Sequence, residues 1–194
     1  MNKNLKSGLL LFILVGPLLF FGLFHLLGTN HYKIPKYHPI GSDNTGDTTY
    51  HKVSDFEFLN QNGKKITLND YKGKLFVVDF FFTTCPTVCP RMSSSISYLQ
   101  KSFKNHSNEV MFLSFTVDPA HDSVSILKDY ANTYGAIDNV WNLVTGDKGL
   151  LYKQAKESYK ITTNESDGFS HSEKLVLVDK NLNIRGYYDG TNEE

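Results

Sequence analysis

From Gly8 to Gly28 the chain reads GLLLFILVGPLLFFGLFHLLG, 21 residues without a formal charge and with His25 as the sole ionisable group. A helix of that length, rising about 1.5 Å per residue, crosses a hydrocarbon core of about 30 Å. Pro17 is tolerable there as a kink. A cleaved signal has a shorter apolar stretch, about 7–15 residues, and a small-x-small exit. Gly28-Thr29-Asn30-His31 offers no such exit, and no cysteine is near for lipid attachment, so an uncleaved anchor over residues 1–28 is the preferred reading. Lys3 and Lys6 precede the run and no acidic residue lies in the first 30, which predicts a cytoplasmic N-terminus and an extracytoplasmic, periplasmic-side domain.

Residues 29–52 carry Pro, Gly, Ser, Thr and Asn without apolar periodicity and predict a tether. His31, His38 and His51 fall in it. Scattered histidines can bind metal weakly, but the polarity of a solvated linker accounts for them more simply.

From residue 53 the pattern changes to strand and helix in alternation. Phe56, Phe58, Ile66 and Leu68 around Gln61-Asn62-Gly63-Lys64 predict a hairpin. Residues 75–82 (LFVVDFFF) form a nearly continuous apolar run, the mark of a strand buried on both faces. Met92, Ile96, Leu99 and Phe103 are spaced for a helix, residues 110–117 for a second buried strand, and Val124–Tyr134 for a helix ending at Gly135. A short strand around Trp141, a helix over 148–159, and strands at 174–179 and 184–188 complete the order. This predicts an α/β domain, residues 53–194, with a mixed central sheet, helices on both faces and an N-terminal β-hairpin. The sequence given stops just past the last strand, where a further covering helix would be expected.

Charge adds mainly exclusions. Twenty basic and 20 acidic residues cancel, so no field recruits nucleic acid. Without Lys3 and Lys6 the part beyond the anchor is about −2. Two cysteines, Cys85 and Cys89, are too few for a disulfide scaffold.

They are, however, well placed for chemistry. The apolar strand runs straight into Thr83-Thr84-Cys85-Pro86-Thr87-Val88-Cys89-Pro90, and a helix follows. Sites in open α/β sheets lie at such carboxyl ends, and a helix N-terminus favours thiolate over thiol. Two buried structural cysteines are the bland alternative. Cys-x-x-x-Cys is one residue longer than the Cys-x-x-Cys of thioredoxin-type oxidoreductases. That spacing suits chelation while still permitting a disulfide. Two thiolates make a poor zinc site, and with one imidazole they suit copper, particularly Cu(I). His171, in Gly168-Phe169-Ser170-His171-Ser172 before the late strand, is a better-placed third ligand than His106 or His121, for which exposure is expected. Asp79, inside an apolar strand, is costly if ionised and unpaired.

The stretches FFFTTCPTVCP, TVDPAHD and FSHS resemble the Sco/SenC family, over roughly residues 53–190. The resemblance implies a thioredoxin-like fold behind one transmembrane helix. It implies one copper per chain, Cu(I) or Cu(II), on Cys85, Cys89 and His171, with Asp118 close by as a supporting residue rather than a ligand. The implied function is copper delivery to the dinuclear copper centre of a respiratory cytochrome c oxidase. Its implied partners are the oxidase's copper-site subunit and a thiol reductant or thioredoxin-like donor that keeps the redox pair Cys85 and Cys89 reduced. On this reading the chain is a chaperone and not an enzyme. The alternative is a thiol–disulfide reductase acting on the oxidase's copper-site cysteines, which would use the same two thiols without His171.

Overall fold

The computed structural model describes residues 3–28, 34–161 and 172–192. It separates into two compact units, Met1–Ile34 and Pro35–Glu194. In the first, helix α1 spans Lys3–Leu27 with Pro17 inside it. Its Leu and Phe side chains from Leu11 to Leu27 are largely exposed, and its Lys6–Leu27 stretch is long and apolar enough to cross a membrane.

In the second unit the strands are β1 (Pro39–Ser42), β2 (Thr48–Tyr50), β3 (Glu57–Asn60), β4 (Lys65–Thr67), β5 (Leu75–Phe81), β6 (Val110–Thr116), β7 (Trp141–Thr145), β8 (Lys174–Val178) and β9 (Ile184–Asp189). The helices are α2 (Val88–Ser102), α3 (Val124–Tyr134) and α4 (Lys148–Lys153), the last continuing into a wider turn over Gln154–Ser158. β3 to β9 form one seven-stranded mixed sheet in the order β4-β3-β7-β6-β5-β8-β9. β5, β6 and β7 run parallel, and the outer pairs are antiparallel. Right at the centre, β5 and β6 pair from Leu75↔Val110 to Phe81↔Thr116, so the two strands end side by side.

The alternation of side chains along these strands divides the core in two. Phe76, Val78, Phe80, Leu113, Phe115 and Val144 face one layer, with Tyr71, Leu151 and Tyr159. Phe81, Phe112, Trp141 and Leu143 face the other, against Met92 and Ile96 of α2 and Leu127 and Ala131 of α3. Both faces are covered, which is why the β5 run is apolar without alternation. α3 opens on a Ser123 side chain that accepts the Ile126 N–H and closes on Gly135 at φ 67, a left-handed position that suits glycine.

The segment expected to be a tether is ordered against the domain from Pro35 onward. β1 and β2 form a hairpin of their own, closed at its tip by Asp43, whose carboxylate accepts the N–H groups of Thr45 and Asp47. Tyr37 N–H donates to Ile184 O at 3.0 Å, Arg185 Nε to Pro35 O at 2.9 Å, and Val53 N–H to Leu182 O at 3.0 Å. Because β1 is exposed on both faces, its residues carry no apolar alternation to announce a strand.

Candidate metal centre

After Phe81 the backbone turns at once: the Cys85 N–H donates to Phe82 O at 3.2 Å. Three residues later α2 begins, so Cys89 and Pro90 sit in its first turn. Thr87 occupies the capping position, yet its side chain accepts no bond from the helix. The sulfur of Cys85 takes that place. The Cys89 N–H points at Cys85 Sγ at 3.5 Å, and the N–H groups of Thr87 and Val88 also face it. Both cysteines are free and only 4% exposed.

This geometry makes the two thiols unlike. Burial alone would push the Cys85 thiol up; the ring of backbone N–H donors and the Cys89 thiol outweigh it and bring the thiol below its ordinary value. Cys89 has no such cradle. Burial pushes it up to about 12, and a negative charge on Cys85 or Asp79 adds to the rise, against a single favourable N–H from Phe82. Cys85 is therefore the more acidic thiol of the pair and Cys89 the less acidic. A cation bound at Cys85 would draw off the second proton, because metal ligation competes with protonation.

Asp79 lies on the same face of β5 as Phe81, toward α2 and α3, and opposite Ser114 in the ladder. It is 1% exposed, and neither carboxyl oxygen has a well-formed hydrogen bond among the described residues. Burial raises its carboxyl to about 7; the Ser114 hydroxyl draws it back only in part, and that hydroxyl also accepts the Trp141 Nε1–H at 2.8 Å.

A second carboxylate, Asp122, ties down the cysteine loop and was not among the residues singled out from the sequence. It is fully buried and accepts the Thr83 N–H at 3.2 Å, together with short bonds from the hydroxyls of Thr83 and Thr116. His121 donates its Nδ1–H to the same carboxylate at 3.1 Å. The only signal of this in the sequence is an acidic residue in TVDPAHD, at the sheet end that also carries the cysteines. Asp118 acts through its backbone: its N–H donates to Thr116 Oγ1 at 3.0 Å, and its carbonyl accepts the N–H of Asp122 at 2.9 Å and of His121 at 3.1 Å.

His106 and His121 are exposed, as expected. His106 lies 3.7 Å from the Glu109 carboxylate, whereas His121 sits beside Thr83, two residues before Cys85. His171 lies outside the described residues. Among the described residues no third His, Cys, Asp or Glu joins the cysteines in a ligand cluster. The donors that are described, one thiol of lowered pKa and one that a bound cation would have to deprotonate, fit a soft metal ion.

A family model described as SCO1/SenC matches residues 44–194. A SCO1 protein homolog of Bacillus subtilis is 31% identical over 154 residues, covering 77% of this chain and 80% of its own. A Stutzerimonas stutzeri protein named for copper binding is 29% identical over 141 residues, 70% of this chain and 68% of its own. Among solved structures, BsSco is described as a member of the Sco family of cytochrome c oxidase assembly proteins that carries a disulfide switch. It matches with a TM-score of 0.65 at 28% identity, over 81% of this chain and 89% of its own.

Proposed function

The chain belongs to the SCO1/SenC family, and from that premise we propose that it is a membrane-tethered copper chaperone, its domain on the extracytoplasmic side, serving the assembly of a respiratory oxidase. Copper is its cargo. Cys85, already biased toward thiolate, takes the ion first, Cys89 loses its proton to the solvent as it ligates, and His171 completes the set. A site of two sulfurs and one nitrogen leaves an ion open to attack by a partner's thiolate, so copper passes from ligand to ligand without being released. The observation that carries this reading is the sulfur of Cys85 standing as the cap of α2, where backbone N–H donors favour the thiolate form on a buried loop.

The test is Cu(I) stoichiometry and affinity of the full chain in detergent. One copper per chain is expected, lost in Cys85→Ser and in Cys89→Ser. Equal retention by both variants and the unmodified chain would refute the proposal.

A second reading is favoured by the same inequality of the two thiols together with the disulfide switch described for BsSco. As a thiol–disulfide reductase, the Cys85 thiolate attacks a partner disulfide. Cys89 then displaces the partner, leaving a Cys85–Cys89 disulfide and two reduced partner thiols. His171→Ala separates the readings: lost copper retention with intact disulfide exchange supports the chaperone, and unchanged copper retention supports the reductase.

A further inference from the structure

The base of the β1–β2 hairpin holds two histidines that the cysteine site does not use. His38 and His51 flank it as the next cross-strand pair, with the His51 N–H donating to His38 O at 2.9 Å. Their rings stand perpendicular, with centroids 6.5 Å apart. His38 holds its place at φ 58, an uncommon conformation away from glycine.

The hydrogen bonds fix which nitrogen of each ring is free. His51 Nε2 meets the Ser158 carbonyl at 2.8 Å, and a carbonyl only accepts, so Nε2 carries the proton. His38 Nε2 meets Tyr187 Oη at 2.6 Å, while that hydroxyl gives its own proton to Tyr159 O at 3.0 Å. The tyrosine oxygen must therefore accept, and His38 Nε2 also carries the proton. In the neutral form of each ring the lone pair then falls on Nδ1. A backbone carbonyl or hydroxyl on one nitrogen and a lone pair on the other is the arrangement that prepares a histidine to bind metal.

We propose that His38 and His51 form a second metal site, distinct from the cysteines, at which their two Nδ1 atoms bind a divalent first-row transition ion, copper ahead of zinc. Two imidazoles on opposite sides of one ion, with metal–nitrogen bonds of about 2 Å, place their centroids roughly 6 Å apart, close to the separation found. Imidazole suits Cu(II), Ni(II) and Zn(II), and the order of affinity puts Cu(II) first. Water fills the remaining positions. Burial, His51 and Lys160 all lower His38 from its ordinary value, which keeps its ring neutral and able to bind near pH 7. The site sits against Ser158 and Tyr159, yet it needs neither cysteine, so failure of copper binding at Cys85 and Cys89 would leave it untouched.

The test uses the full chain with Cys85→Ser and Cys89→Ser, in detergent, titrated with Cu(II) at pH 7.5 and followed by electron paramagnetic resonance. One equivalent with nitrogen hyperfine structure is expected. His38→Gln or His51→Gln added to that chain weakens the first equivalent at least tenfold. Undiminished affinity and an unchanged spectrum with both histidines replaced would overturn the proposal. Because His38→Gln also removes the Tyr187 contact, a second measurement uses the unmodified histidines. Zn(II) added to the cysteine-free chain shifts the 15N resonances of Nδ1 in both rings and leaves both Nε2 atoms protonated. A shift at Nε2, or in neither ring, counts equally against it.

Discussion

Asp79→Asn tests the electrostatics beneath the cysteine loop. The carboxyl is enclosed and moved from 3.8 to about 7, mainly by burial. At about 1.36 kcal/mol per unit the shift is worth roughly 4 kcal/mol, taken as an upper figure for a buried group. The folded pKa is raised above the unfolded one, so the folded state holds a proton that the unfolded chain has already lost. This contribution is fully present below about pH 4, is lost as pH rises toward 7, and stays lost above it. Asparagine keeps the shape and polarity without the charge. The variant should therefore match the unmodified protein within about 1 kcal/mol at pH 4 and exceed it by about 2–4 kcal/mol at pH 8. Urea unfolding of the reduced protein, measured as the difference between the two chains from pH 4 to pH 8, isolates this group because Cys89, the thiol it perturbs, titrates well above that range. A difference that stays constant across that range, or a variant less stable at pH 8, would refute the reasoning. The same substitution removes a negative charge that adds to the rise of Cys89, so the Cys89 thiol should titrate lower in the variant.

Alkylation with iodoacetamide at pH 7 should label Cys85 well ahead of Cys89 in peptide mass spectra, and Cys85→Ser should leave a chain that reacts slowly until the pH is far higher. Asp122→Ala strands the Thr83 N–H and two threonine hydroxyls and should cost about 2–4 kcal/mol in a denaturant titration, with Asp122→Asn recovering part of it. Gly135→Ala forces a side chain into the left-handed cap of α3 and should cost about 1 kcal/mol, seen as a melting temperature lowered by several degrees.

Where burial is two-sided the sequence is explicit. The runs that became β5 and β6 lie between two covered faces, and their length and β-branched content leave little else for them to be. The helix over Val124–Tyr134 is equally plain, because a serine cap, an apolar stripe and a glycine stop agree. The hairpin of β1 and β2 was not legible: with β1 exposed throughout, its residues obey no core pattern, and His38 and His51 gain meaning only from partners more than 100 positions away. Asp122 escaped for a similar reason. Its role depends on the parallel register that brings Phe81 beside Thr116, and so Thr83 within reach of a loop 39 residues on.

The cysteine loop combines both cases. Its position after an apolar strand and before a helix can be read directly, and so can the preference of that place for a thiolate. What cannot be read is which cysteine benefits. Thr87 has the right side chain to cap α2, and a capping threonine would have left the Cys85 sulfur without its donors. Thr87 instead adopts φ −128 and ψ −70 and leaves the first N–H groups of the helix to the sulfur. The absent cap and the activated thiol are thus one feature. Giving α2 a capping side chain that works, by freeing Thr87 through Pro86→Gly, should raise the Cys85 thiol even as it satisfies the helix.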